Sequence, residues 1–317
     1  MTRGRALALW LALCGCGPAQ VPLGRTWSTV LHGQESLTRL RLRVPEGARC
    51  LALQVTGSST ARYRLVSLQV SGQEISAQGL AAERRGALAF VYPFAPGQPP
   101  PRGVVTVTLA ADQALRGARL AILAPPDDGA RVLRVNLVVV TDGAPREVMA
   151  EEALAVARGV LAQAGIELRV ERRAVLAGGP LLGDGWEEPG EDAARLAAQA
   201  AARLPGGAVN VFVVDRLPLG SEGTSLSVPA LFDGGAGVAG GVLLARAAPR
   251  PLGRALAHEL AHALGLRHPR AVDPDGSVHE DGLGDPRPGD DNLMARGARL
   301  SAAQIFVLRS SPLLRRD

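Results

Sequence analysis

The sequence predicts two domains of different class: an all-β antiparallel sandwich, then an α/β domain. Three observations carry this. At 317 residues, the chain is about twice the common ~150-residue domain. Its first third alternates apolar and polar residues between short turns, the period of half-buried strands. After the breaker cluster Ala124-Pro125-Pro126-Asp127-Asp128-Gly129, strand-like runs alternate with helical ones, as in a mostly parallel sheet with helical cover. The composition is 47% hydrophobic, enough to build cores and unlike a disordered chain.

The first sixteen residues read as an export signal. Arg3 and Arg5 precede an apolar run over 6–13, then Cys14-Gly15-Cys16. The run is too short to span a membrane, which takes ~20 apolar residues. Leu13-Cys14-Gly15-Cys16 resembles a bacterial lipobox, which implies a lipoprotein signal peptide over 1–16 and lipidation of Cys16. It also implies an exported protein anchored by lipid in the cell envelope, in the outer membrane on its periplasmic side or at the surface. Every basic residue is Arg, and removing Arg3 and Arg5 from 35 leaves 33 against 30 acids. The arginines are scattered among acids, which speaks against a nucleic-acid footprint. They read instead as codon bias, alongside abundant Gly, Ala and Pro. Aromatics at 3% offer no stacking platform for single strands. With Cys14 and Cys16 in the leader, no disulfide framework remains.

The sandwich is expected over 17–125. Residues 37–44, L-T-R-L-R-L-R-V, alternate apolar and polar, and 50–55 continue the pattern. Further strands are read at 63–70, 88–92, 104–109 and 118–123, separated by turns such as Pro45-Glu46-Gly47 and the 96–103 stretch. Beyond the breaker, 131–140 is a nearly continuous apolar strand. Residues 146–164 have helical composition, and Gly165 follows as a natural helix stop. Strands follow at 166–172 and 209–214, with an Ala-rich helix at 191–204 between them. The stretch 234–245 is Gly-rich and then apolar. The second domain is expected over 131–317.

The chemistry lies in residues 258–268, H-E-L-A-H-A-L-G-L-R-H. Three of the five histidines fall here. His258 and His262 are four apart, so a helix over 252–264, with Pro251 in its first turn, puts both imidazoles on one face. Gly265 permits the left-handed backbone that ends the helix, so that His268 can swing back as third ligand. Three protein ligands leave a fourth position for water, the arrangement of a catalytic zinc site. Glu259, one residue on from His258, can approach a water on the metal and act as general base.

These residues match the H-E-x-x-H-x-x-G-x-x-H signature, and the C-terminal half resembles the metzincin zinc peptidases. The resemblance implies one zinc ion and a peptide or protein substrate. It also implies a methionine turn beneath the metal, for which Asn292-Leu293-Met294 is the match, with Met294 under the histidines. Leu300-Ser301-Ala302-Ala303-Gln304 then resembles the start of the C-terminal helix, with Ser301 as N-cap. A tyrosine after the methionine serves some relatives as a helper; here Ala295 and Arg296 follow, and no Tyr lies beyond Tyr92. Metzincins bind extended peptides along an edge strand, and Gly237-Val238-Ala239-Gly240 is the candidate for that edge. Cys50 reads as a core thiol rather than a latency switch. The acids Asp273, Asp275, Glu280, Asp281, Asp285, Asp290 and Asp291 could hold calcium, but lack EF-hand spacing and read as a solvated loop. His279 in that loop and His32 are given no role. A zinc endopeptidase is the leading reading. A surface-binding protein on an inactive metzincin scaffold, with function in the sandwich, is the second, and an amidase acting on cell-wall peptides is the third.

Overall fold

The computed structural model describes residues 28–32, 35–44, 50–56, 61–75, 82–84, 87–93, 103–113, 117–123, 131–141, 147–177, 208–214, 223–226, 241–245, 251–272, 278–280, 283, 291–295, 297–311 and 313–316. The N-terminal part forms two antiparallel sheets. In the first, β1 (Ser28–His32) pairs with β2 (Glu35–Val44), which pairs with β8 (Gly103–Ala111). Next come β4 (Tyr63–Val70) and β5 (Gln73–Ile75). The second runs β6 (Ala82–Arg84), β7 (Ala87–Pro93), β3 (Cys50–Thr56), β9 (Gly117–Leu123). The alternation read along β2 is obeyed: Leu40 and Val44 are buried while Arg39, Arg41 and Arg43 are exposed. Leu40, Leu65, Leu68, Val105, Val107 and Leu109 of the first sheet share one core with Leu51, Leu53 and Leu88 of the second. Two sheets with facing apolar sides bury them against each other, which is the sandwich solution.

The C-terminal sheet has the order β11 (Ile166–Ala177), β10 (Arg131–Thr141), β12 (Val209–Val214), β14 (Gly241–Ala245), β13 (Gly223–Leu226). The first four strands are mutually parallel; β13 is antiparallel to β14 at the edge, and β17 (Leu314–Arg316) pairs antiparallel with the start of β10. Every residue of β12 and of β14 is buried, as expected of central strands covered on both faces. Helix α1 (Glu147–Ala162) connects β10 to β11. It buries Ala150, Ala153, Leu154, Ala157, Val160 and Leu161, a stripe at helical period.

Helix α2 (Leu252–Ala263) packs against α1, β13 and β14. Pro251 is its N-cap in extended conformation, φ −53 and ψ 126, so the proline stands just before the first turn rather than inside it. A Cβ on Gly253 would lie 2.5 Å from Cβ of Val156; only glycine lets α1 and α2 approach this closely. Nearly all of α2 is buried, including His258 and Glu259. A β15 (Arg270–Val272) and β16 (Val278–Glu280) pair follows, and α3 (Ala302–Arg309) precedes β17.

The strands read from the sequence are found, with β11 running five residues further, to Ala177. The strands β1, β5, β6, β13, β15, β16 and β17 were not anticipated, because three to five residues are too few to display a period. The leader with Cys16, the expected helix at 191–204 and Gly237, Val238, Ala239 and Gly240 lie outside the described residues. Among the described residues no helix is long and apolar enough to cross a membrane.

Candidate metal centre

Helix α2 presents His258 and His262 one turn apart, with Nε2 atoms 3.1 Å from each other. It then ends in a Schellman turn. Leu266 N–H donates to the Ala261 carbonyl and Gly265 N–H to that of His262, both at 2.9 Å, with Gly265 at φ +106°. This backbone is strained for any residue with a Cβ. The reversal returns His268 to the other two. The three ring centroids lie 4.7, 5.1 and 4.7 Å apart, and the ring planes are splayed rather than stacked. One nitrogen from each ring lies within 4.8 Å of the others, and among the described residues this is the sole such cluster of metal-ligating side chains.

Each imidazole is aimed by a backbone carbonyl. Nδ1 of His258 donates to Leu293 O, Nδ1 of His262 to Leu266 O and Nδ1 of His268 to Met294 O, all at 2.9 Å. A proton on each Nδ1 leaves the Nε2 lone pairs facing one another, which is the tautomer that a metal takes up. Two lone pairs 3.1 Å apart repel unless a cation lies between them. Tetrahedral zinc with Zn–N of 2.0–2.1 Å would space two such nitrogens by about 3.3 Å. The donor set therefore fits zinc. Burial lowers the His262 pKa to about 4, and neighbouring His258 and, less strongly, His268 lower it as well. The bond to Leu266 opposes them. His262 is thus neutral near pH 7, ready to act as a ligand.

The turn below the site is built from Asn292-Leu293-Met294. Oδ1 of Asn292 accepts from Met294 N–H at 2.9 Å, and Leu293 N–H donates to Arg299 O at 2.8 Å. Met294 is buried in the core shared with α1 and α2. Gln304 is wholly buried, and its amide pairs reciprocally with that of Asn292, at 2.9 and 3.1 Å. Ser301 is the N-cap of α3, as the sequence suggested, and closes a capping box with Gln304. Gln163, just past α1, donates to Ala298 O and accepts from Leu300 N–H. It tethers the loop from its other side.

Glu259 is buried and follows His258 on α2. His279 lies in β16 and its side chain is outside the described residues, as are most of the acids of the 273–291 loop. Asp291 is described, and forms an exposed ion pair with Arg299 at 3.3 Å. Burial pushes the phenol of Tyr92 in β7 up, while the Arg267 guanidinium, next to His268, pulls it the other way.

No family model and no curated protein matches the chain. Solved structures do. A chain in a structure of a chaperone–substrate complex aligns at TM-score 0.37 and 12% identity, covering 65% of this chain. The chain spans only 39% of that structure's length. An archaemetzincin from Methanopyrus kandleri aligns at TM-score 0.30 and 17% identity, over 56% of this chain and 88% of the archaemetzincin.

Proposed function

We propose that the chain is a zinc-dependent endopeptidase. The observation that carries this reading is the convergence of three Nε2 atoms, each oriented by a carbonyl at its Nδ1, with a buried glutamate next to the first of them. His258, His262 and His268 would hold the ion. A zinc ion there supplies Lewis acidity, polarising a carbonyl oxygen and acidifying water. Glu259, in its buried position on α2, takes the proton of the attacking water and passes it to the leaving amine, the ordinary work of a general base and acid. Edge strand β13 pairs on one side with β14, and α2 packs beside it. An extended peptide adding to its other side would gain main-chain hydrogen bonds. The lipobox resemblance supports an exported protein tethered through Cys16, and the histidine cluster gives no support to a calcium site.

The test is a paired measurement on purified protein: bound zinc and cleavage of a peptide library, repeated with Glu259→Gln. Zinc retained with cleavage reduced by about 10²–10⁴-fold, the usual contribution of such a base, supports the reading. Stoichiometric zinc in the wild type with no cleavage of any peptide would favour the inactive-scaffold reading instead.

A further inference from the structure

We propose that Gln304 is a positioning residue for the metal centre, acting through Asn292 on the two carbonyls that aim His258 and His268. This rests on reading the histidine triad as a metal site. The carbonyls of Leu293 and Met294 are consecutive, and each accepts from a different ligand. A shift of this one turn would therefore misdirect two of the three ligands together. What holds the turn is not the metal. Asn292 Oδ1 accepts from Met294 N–H inside the turn and from Gln304 Nε2 outside it. Asn292 Nδ2 donates in return to Gln304 Oε1. Gln304 Oε1 also accepts from Ser301 N–H, and Gln304 N–H donates to Ser301 Oγ.

Two features make this more than packing. All members are neutral and bonded within the chain, so the turn is set before any ion binds. The pair is also buried, Gln304 at 0% and Asn292 at 9% exposure, where water cannot replace a lost partner and geometry is enforced. Outer-shell groups that orient metal-bound histidines change metal affinity by about 10- to 100-fold when removed. Here the outer shell has two layers, a carbonyl and then an amide pair, and the second layer is the N-terminus of α3.

The informative variant is Gln304→Glu. Glutamate at this position still closes a capping box with Ser301, so α3 is preserved, and the carboxylate can accept from Asn292 Nδ2. It cannot donate to Asn292 Oδ1, and so sets acceptor against acceptor. A second variant, Asn292→Asp, keeps both bonds that Oδ1 accepts, including the one inside the turn, and sets its other oxygen against Gln304 Oε1. Metal affinity of each is read by competition with a chromophoric chelator, and ligand geometry by the visible absorption of the Co(II)-loaded protein. Gln304→Glu is expected to bind Zn(II) about 10- to 100-fold more weakly, with an altered Co(II) band and unchanged far-ultraviolet circular dichroism. Asn292→Asp is expected to shift both readouts in the same direction by less, and it decides the matter if Gln304→Glu does not fold. Wild-type affinity and band shape in both variants would overturn the positioning role alone. A wild-type protein that takes up no metal overturns the metal reading with it.

Discussion

The two parts of the molecule bury different chemistry. Among the described residues, the sandwich core is leucine, valine and alanine with one tyrosine, and its only buried polar residues are Thr38 and Thr108. The parallel-sheet part buries His258, Glu259, Asn292, Gln304, Asn136 and Asn210 as well as its apolar core. Buried polar groups cost free energy unless each is bonded. In the C-terminal part His258 and His268 are bonded through the 292–294 turn to Gln304 of α3, and Asn136 donates separately to Asn210. The comparison shows where directed polar groups are concentrated. Between its paired strands the sandwich buries almost only apolar side chains, while the second part holds buried polar groups in fixed directions.

The comparison can be broken most directly at a ligand. His262→Ala is expected to remove bound zinc altogether, as measured by metal analysis after dialysis, whereas Glu259→Gln keeps it. Zinc retained without His262 would sink the assignment. Next, Leu53→Ala in the sandwich core, at 0% exposure, is expected to cost about 2–5 kcal/mol of stability while leaving zinc affinity within about twofold. A parallel loss of affinity would mean the two parts are energetically joined. A smaller effect is expected at the helix end. Gly265→Ala forces a Cβ onto φ +106° and is expected to cost roughly 1–3 kcal/mol. It should also weaken zinc binding, since Leu266 O moves with the turn. A pH effect is also expected in the metal-free protein. The His262 pKa is depressed to about 4 from an ordinary 6.5, so between these values the unfolded chain binds more protons than the folded one. Thermal stability of the apo protein should therefore fall as the pH drops from 6.5 toward 4. A melting temperature that rises over that interval would contradict the burial of His262.

The sequence was most legible where the pattern was long or the chemistry local. Alternation along 37–44 found β2 because a strand with one buried face must alternate, whereas in β4 the register shifts between Leu65 and Ser67. The spacing within 258–268 pointed to the histidine cluster because helix geometry alone brings residues four apart together, and to Gly265 because its backbone conformation turns the chain. Short strands stayed hidden: β13 is four residues, Gly223–Leu226, and its place at the sheet edge depends on β14. Ser301 was readable as an N-cap. Gln304 three residues later carried the capping-box signal, but nothing local showed that its amide also reaches Asn292, twelve residues back.

By itself the sequence determined that three histidines and a glutamate would share one helix and the turn after it, since those relations span eleven residues and follow from helical geometry. The His262 ring is aimed locally, by Leu266 O four residues on, but only the tertiary structure decided how His258 and His268 point. His258 takes its direction from Leu293, 35 residues away, and His268 from Met294, 26 residues away. The carbonyls that set ring direction belong to a turn held by another helix, and no local period encodes so distant a partner.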